Sequence, residues 1–131
     1  GLDAHRIASD LDPVAAGQSA LHLIDSFPGL SAIVATSGRS AGGIMQALHS
    51  RGLRVPDDIS LLTIATPSLA TMTTPALSGV DFPSAELGFH AANVLVRRLD
   101  ELALGEPQRT ERILLPAHLT LRGTTSPAAS R

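Results

Sequence analysis

The amino-acid sequence predicts an α/β fold with a mainly parallel sheet flanked by helices. Residues 31–66 contain two short apolar runs, 32–36 and 59–64, which are separated by a segment with helical periodicity. Such runs, when bounded by turn residues, are typical of strands buried on both faces of a parallel sheet. A strand, a helix and a second strand joined by short links form a βαβ unit, which has a right-handed crossover.

The helix between these strands is defined by its apolar spacing and by its end. Ala41, Ile44, Met45 and Leu48 follow the i, i+3, i+4, i+7 pattern of a helix with one buried face. Gly52 follows, and glycine adopts the left-handed conformation that ends many helices without steric cost. The sequence therefore predicts that this helix ends just before Gly52.

Another helix is predicted upstream, and the remaining elements follow from turn residues and periodicity. Asp12 suits an N-cap and Pro13 suits the first helical turn. The apolar stripe predicted for this helix consists of Val14, Gln18, Leu21, Leu23, Ile24 and Phe27. The other predicted elements are short strands at 5–9, 77–82, 112–115 and 119–122, a long helix at 83–104 and a flexible tail at 124–131.

Composition narrows the possible functions. The 131 residues are 44% hydrophobic, which supports a folded core, but only 2% aromatic. The net charge is −2 and the ten basic residues are scattered arginines, so the chain lacks the basic patch that binds DNA. There are no cysteines, which excludes disulfides. No apolar run reaches the roughly 18 residues of a membrane span, and no signal peptide opens the chain, so a cytoplasmic location is expected.

Four stretches resemble one known family. Residues 52–62, G-L-R-V-P-D-D-I-S-L-L, resemble the G-L-x-V-P-x-D-(I/V)-S-V-(V/I) segment of the lac-repressor-like bacterial transcriptional regulators. The matching stretches that follow in family order are P-A-L-S-G-V at 75–80, E-L-G-F-H-A-A at 86–92 and L-L-P-A-H-L-T-L-R-G-T at 114–124. Ala41 and Gly43 also fit the start of the family's helix. The resemblance covers most of the chain.

The resemblance implies a periplasmic-binding-protein-like (type I) effector domain. Residues 1–123 would form its C-terminal lobe, while the helix at 83–104 belongs to the other lobe in the family. We therefore expect this helix to fold back on the present lobe or to pack against another copy of the chain. A DNA-binding helix-turn-helix domain would lie upstream. The chain begins with Gly1, and we expect it to be a fragment of such a regulator.

The resemblance also implies a small-molecule effector site in the crevice at the carboxyl ends of the strands. The residues predicted to line it are Ser37, Gly38, Ala65, Thr66 and Phe82. The family usually has Asn-Asp after the first core strand and Asp-Asp after the second, whereas this chain has Ser37-Gly38 and Ala65-Thr66. Because a buried sugar needs many hydrogen-bond partners, we expect the effector not to be a common sugar.

A homodimer is implied as well. In the family the dimer forms through the first helix, the helix after the first core strand and the segment beyond the second, which correspond here to parts of 13–27, 42–49 and 69–74. The residues predicted at this interface are Ala15, Gly42, Met45, Ala47, His49 and Thr73.

Two other functions remain open at this point. Residues 38–42, G-R-S-A-G, match the G-x-S-x-G pattern that presents a nucleophilic serine in α/β-hydrolases, with Ser40 as the nucleophile. The candidate partners are His90 or His118 as the base and Asp57, Asp58 or Asp81 as the acid. Small residues at a strand-to-helix turn are also common for packing alone, and no oxyanion loop accompanies them.

The second alternative is a solute-binding protein. The histidines lack ligand spacing, and we predict no metal, no cofactor and no enzymatic activity.

Overall fold

The computed structural model describes residues 3–9, 11–107 and 110–127. Its helices are α1 (Pro13–Ser26), α2 (Gly38–Ser50), α3 (Pro67–Ala70) and α4 (Ser84–Ala103). Its strands are β1 (Ala32–Ala35), β2 (Ser60–Ala65), β3 (Ser78–Asp81) and β4 (His118–Thr120). They form one sheet in the order β1-β2-β3-β4, in which the first three strands are parallel and β4 is antiparallel to β3. The predicted mainly parallel α/β fold is confirmed.

Helices α2 and α3, with α1 packed on α2, cover one face of this sheet. Ile33 and Leu61 are buried beneath them, whereas Val34 on the opposite face is 66% exposed and Ile64 is 41% exposed. The expectation that the core strands are buried on both faces is therefore wrong. The strand order explains the outcome, because successive right-handed crossovers in one direction place α2 and α3 on the same side of the sheet.

Helix α1 begins as predicted but buries different residues. The Asp12 carboxylate accepts a hydrogen bond from the Ala15 N–H at 2.8 Å, and Pro13 occupies the first turn. The predicted apolar stripe is correct only in part, because Ile24 packs against the core whereas Val14 is 67% exposed. The buried residues of α1 are Ala16, Gly17 and Ala20. Small residues lie there because α1 packs closely on α2, and close helix packing leaves no room for large side chains.

Two predicted strands do not form. Residues 5–9 are irregular, and the ring of His5 stacks on Phe27 with centroids 3.5 Å apart. Residues 112–115 are also irregular, although Ile113 and Leu115 face α4 across a groove. Short apolar runs become strands only where another strand offers its backbone groups. The first run contacts the Phe27 ring and the second faces α4, and neither lies beside a strand of the described sheet.

The segment after β4 is bonded to the sheet and does not begin a free tail at residue 124. Thr124 is fully buried, its carbonyl accepts the Leu61 N–H at 2.7 Å, and its hydroxyl donates to the Leu61 carbonyl at 2.6 Å. The same hydroxyl accepts the Ser78 N–H at 2.8 Å. Residues 124–127 were predicted as part of a flexible tail, and that prediction is wrong for the bonded residues. Residues 128–131 lie outside the described part.

Within the described ranges, no helix combines the length and the apolar character that a bilayer crossing requires.

Candidate functional site

The carboxyl ends of three parallel strands meet at one edge of the sheet, which we call the carboxyl edge. Ser37 and Gly38 follow β1, Thr66 follows Ala65 at the end of β2, and Phe82 follows β3. Ala65 pairs with Asp81 at the end of β3, which places the ends of β2 and β3 level with each other. The structure thus brings all of the residues predicted to line an effector site to the same edge.

Two of these residues, Ala65 and Gly38, are buried at the carboxyl edge and offer little accessible surface to a ligand. Ala65 is 4% exposed, and Gly38 is buried at the first turn of α2. A β-carbon on Gly38 would lie 2.9 Å from the Ala65 β-carbon and 2.7 Å from Cδ2 of Leu69 in α3. Glycine at position 38 therefore allows α2 and α3 to approach each other above the ends of β1 and β2.

The other three residues have hydroxyl groups or an aromatic ring that a ligand could contact. Ser37 is the N-cap residue of α2, but its hydroxyl makes no capping hydrogen bond, so this donor and acceptor is available to a ligand. The Thr66 hydroxyl caps α3 by accepting the Leu69 N–H at 3.4 Å and lies 3.1 Å from the Ser68 hydroxyl. Phe82 is 36% exposed and offers an apolar ring at the end of β3. This mixture of hydroxyls and a ring surface suits a small polar organic molecule.

A partly buried carboxylate, that of Asp81, lies beside these residues, and the sequence did not identify it as part of the edge. Oδ2 of Asp81 accepts hydrogen bonds from the Thr120 hydroxyl at 2.7 Å and from Nη2 of Arg122 at 2.5 Å. Nη1 of Arg122 donates to the Leu77 carbonyl at 2.9 Å. Oδ1 of Asp81 is buried and has no hydrogen-bond partner among the described residues. We call Asp81, Thr120 and Arg122 the β3–β4 cluster.

The electrostatics of this cluster favour the ionised carboxylate. The hydrogen bond from Arg122 lowers the pKa of Asp81 below its ordinary value, although burial opposes the shift. The hydrogen bond from Thr120 and the charges of Arg122 and His118 lower this pKa further. Asp81 is therefore a fixed negative charge paired with a fixed positive charge.

Helix α4 and the returning residues 110–117 form an arm that is attached to the carboxyl edge at both ends. The arm leaves the sheet at 82–83, directly after β3, and returns at His118, which pairs with Asp81. An open groove of about 420 Å³ separates α4 from the returning segment. The apolar residues that line it are Leu87, Ala91, Val94, Leu95, Ile113 and Leu115. An ion pair between Arg97 and Glu111 also joins the two parts of the arm.

The arm does not fold back on the lobe. None of the residues of α4 is buried, and among the described residues α4 makes no extensive contact with another helix or strand. The first of the two outcomes expected for this helix is therefore wrong. The short link at 82–83 explains this result, because it holds the start of α4 at the edge of the sheet. Packing of α4 against another copy of the chain remains a prediction.

The residues predicted at a dimer interface fall into two groups. Gly42, Met45 and His49 lie on one stripe of α2, and a β-carbon on Gly42 would contact nothing within 4 Å. Met45 and His49 line an open cleft of about 370 Å³ together with Thr74, next to Thr73. Ala47 instead lies against α1, since a β-carbon on Gly17 would come within 2.9 Å of its β-carbon. The last predicted residue, Ala15, is half-buried in α1.

The hydrolase alternative has no assembled site. Ser40 lies inside α2, two residues after its start, and so does not occupy an exposed turn. Among the described residues, Ser40 has no hydrogen bond to a histidine. All three candidate acids are engaged elsewhere, because Asp57 and Asp58 pair with Arg54 and Asp81 pairs with Arg122. A nucleophilic serine needs a base and an orienting acid within hydrogen-bond reach.

Comparison with known proteins agrees with this geometry. Residues 1–125 match the family model described as a periplasmic binding protein-like domain. The ribose operon repressor of Halalkalibacterium halodurans is 31% identical over 103 residues, which cover 79% of this chain and 30% of that protein. Catabolite control protein A of Staphylococcus xylosus is 30% identical over 94 residues, which cover 72% of this chain and 27% of that protein. The chain thus spans about 30% of the length of these curated relatives.

Solved structures show the same architecture. A LacI family transcriptional regulator from Enterococcus faecalis with bound ribose matches with a TM-score of 0.82 at 23% identity, over 94% of this chain and 44% of that chain. A LacI family transcriptional regulator from Arthrobacter sp. in complex with lactose matches with a TM-score of 0.76 at 27% identity, over 92% and 44%. The chain therefore belongs to the periplasmic binding protein-like domain family, in the form found in the lac-repressor-like transcriptional regulators.

Proposed function

We propose that this chain is the ligand-sensing and dimerising part of a transcriptional regulator, with its effector bound at the carboxyl edge. The observation that carries the proposal is the convergence of Ser37, Thr66 and Phe82 at the edge to which both ends of the arm are attached. Open α/β sheets bind ligands outside the carboxyl ends of their strands. A ligand at this edge would contact the sheet on one side and the arm on the other.

We take small sugars as the effector class. The relatives include a ribose operon repressor and regulators solved with ribose and with lactose, so the comparisons give no support to the expectation that a common sugar is excluded. The hydroxyls of Ser37 and Thr66 can hydrogen-bond to sugar hydroxyls, and the Phe82 ring can cover an apolar sugar face. Few polar partners are present at the edge, which predicts weak binding by this chain on its own.

We also propose that the chain forms a homodimer through the stripe of α2 formed by Gly42, Met45 and His49, in which Met45 is half-buried and His49 is exposed. Gly42, Met45 and His49 leave an open surface beside a cleft, and Met72, a few residues from Thr74 of the cleft, is 79% exposed. An exposed apolar side chain next to a cleft is a common feature of contact surfaces between subunits. DNA contact would come from a separate segment, because the net charge of this chain is −2 and its arginines are scattered.

The proposed mechanism is a population shift between two positions of the arm relative to the sheet. A sugar that contacts both parts would favour the closed position only by the difference between its affinities for the two positions. In a dimer, such a movement would alter the geometry of the attached DNA-reading parts.

A titration of the isotope-labelled chain with ribose, cellobiose and lactose tests the proposal. Nuclear magnetic resonance detects dissociation constants near 1 mM, which correspond to a binding free energy of about −4 kcal/mol. The method therefore suits the weak binding that we expect of this chain. We expect at least one sugar to bind saturably, while glycerol at the same concentration serves as the control for unspecific effects. If no sugar binds more tightly than glycerol, the proposed effector class is wrong.

A further inference from the structure

The two connections between sheet and arm are tied together by one carboxylate. Asp81 is the last residue of β3, and α4 begins three residues later. Thr120 is the last residue of β4, which begins where the arm returns. The hydrogen bond from Thr120 to Asp81, at 2.7 Å, therefore joins the departing and the returning chain directly.

Arg122 reinforces this junction through its forked geometry. One guanidinium nitrogen bonds to Asp81 near the carboxyl edge, and the other bonds to the Leu77 carbonyl just before β3. The backbone N–H of Arg122 donates to the Ser78 hydroxyl at 2.7 Å. The side chains of Asp81 and Arg122 are only 13% and 15% exposed, so water screens this pair weakly.

The backbone pairing between these strands is short. β3 and β4 pair over the three positions Gly79–Thr120, Val80–Leu119 and Asp81–His118. A ladder of this length opens readily at its end, where β4 meets the arm. The β3–β4 cluster spans this ladder diagonally, because Asp81 lies at that end whereas Thr120 and Arg122 lie at and beyond the other end. Its bond between Arg122 and Asp81 is charge-assisted and therefore stronger than the neutral bonds of the ladder.

We propose that Asp81 is a positioning residue whose bonds to Thr120 and Arg122 clamp both connections of the arm, so that the arm pivots as one unit at 82–83 and 116–117. We call these bonds of Asp81 the clamp. Without the clamp, β4 would separate from β3, and the arm would move independently of the carboxyl edge. The role in effector response rests on the proposed function, because Phe82, next to Asp81, lies at the edge where the ligand is placed.

The absence of cysteine from the chain makes a direct test possible. Paired spin labels on His22→Cys in α1 and Ala92→Cys in α4 report the distance between the helix-covered sheet and the arm. Labels on His22→Cys and Arg39→Cys in α2 report distances within the helix-covered part alone. Dilution of labelled chains with unlabelled chains removes distances between copies. All measurements are made without ligand.

Asp81→Asn and Thr120→Val are expected to widen the sheet-to-arm distance distribution, roughly twofold for Asp81→Asn, and to leave the distribution within the helix-covered part unchanged. Asp25→Asn is the matched control, because it removes another carboxylate–arginine pair, Asp25 with Arg51 at 2.5 Å, which lies away from the arm. It should widen neither distribution. The milder Thr120→Val keeps the test valid if Asp81→Asn disturbs folding.

Two results would overturn the clamp. One is an unchanged sheet-to-arm distribution in both Asp81→Asn and Thr120→Val. The other is equal widening of both distributions in both variants, which would show that the cluster merely supports the fold. Since no ligand is present, either result leaves the sugar proposal to its own titration, and failure of that titration leaves the clamp intact.

Discussion

Gly43 in α2 lies directly against the carbonyl group of Pro13 in α1, and a β-carbon on Gly43 would overlap the Pro13 oxygen. A β-carbon on the neighbouring Gly42 would contact nothing within 4 Å. The two adjacent glycines therefore have different roles. Gly43 sets the distance between the two helices, and Gly42 faces outwards.

This difference predicts opposite effects of the same substitution. Gly43→Ala should lower the free energy of unfolding by about 2 kcal/mol or more, because the clash involves backbone and cannot be relieved by a rotamer change. Gly42→Ala should raise it by up to about 1 kcal/mol, the difference in helix propensity. Urea unfolding followed by circular dichroism measures both values. Equal effects of the two substitutions would show that the α1–α2 contact is not as tight as described.

The proposed dimer is tested at Met45. Met45→Glu places a carboxylate on the stripe with Gly42 and His49 and should weaken association at least about tenfold, because a charge would have to lose its water at the interface. Light scattering on a size-exclusion column over a concentration series measures this change. Arg39→Gln changes the net charge by the same amount at an exposed position of α2 and should leave the mass unchanged. A wild-type chain that is monomeric at every concentration would contradict the dimer.

Asp81 predicts a specific dependence of stability on pH. Arg122 lowers the pKa of Asp81 in the folded protein below its value of about 3.9 in the unfolded chain. The unfolded state therefore binds a proton at higher pH, and the resulting stabilisation, complete above about pH 5, is lost as the pH falls through the folded-state pKa. The charged neighbours facing Asp81 are Arg122 and His118, and both favour the ionised form.

Unfolding free energies measured between about pH 6 and pH 3 should consequently fall less steeply for Asp81→Asn than for the wild type. Asp58, which Arg54 holds at a lowered pKa, remains in both proteins and contributes equally to both slopes. The difference between the two slopes is thus the contribution of Asp81. Identical slopes would mean that the carboxylate and Arg122 are not paired in solution.

A pair of serines tests the position of the effector site and the hydrolase alternative together. Ser37→Ala should weaken binding of a responsive sugar by about three- to tenfold, the value of one neutral hydrogen bond, without a change in stability. Ser40→Ala, three residues later and inside α2, should leave binding unchanged. Hydrolysis of an activated ester that disappears in Ser40→Ala would instead favour the hydrolase.

The element order could be predicted from the sequence because its signals are local. Turn residues and helical periodicity indicated α1, α2 and α4, and Gly52 has the expected positive φ of 77° at the end of α2. The covered face could not be predicted, because an apolar run such as that of β1 looks the same whether one side or both sides are buried. Thr124 was misjudged for a related reason, since its partners Leu61 and Ser78 are distant in sequence.

The candidate site shows the same limit. Ser37, Thr66 and Phe82 could be placed at one edge because parallel strands align their carboxyl ends. The β3–β4 cluster could not be found, because its bonds depend on the antiparallel pairing of β4 with β3. Thr120 and Arg122 follow Asp81 by 39 and 41 residues in the sequence. Nothing in the local sequence pattern connects these three residues.

The most direct test of the central claim is the map of backbone amide shifts during the sugar titration. Binding at the carboxyl edge predicts saturable shifts centred on Ser37, Gly38, Thr66 and Phe82, with little change at Met45 and His49 in the cleft on α2. Shifts that are centred on that cleft, or that are absent at the carboxyl edge while a sugar binds, would contradict the placement of the effector site.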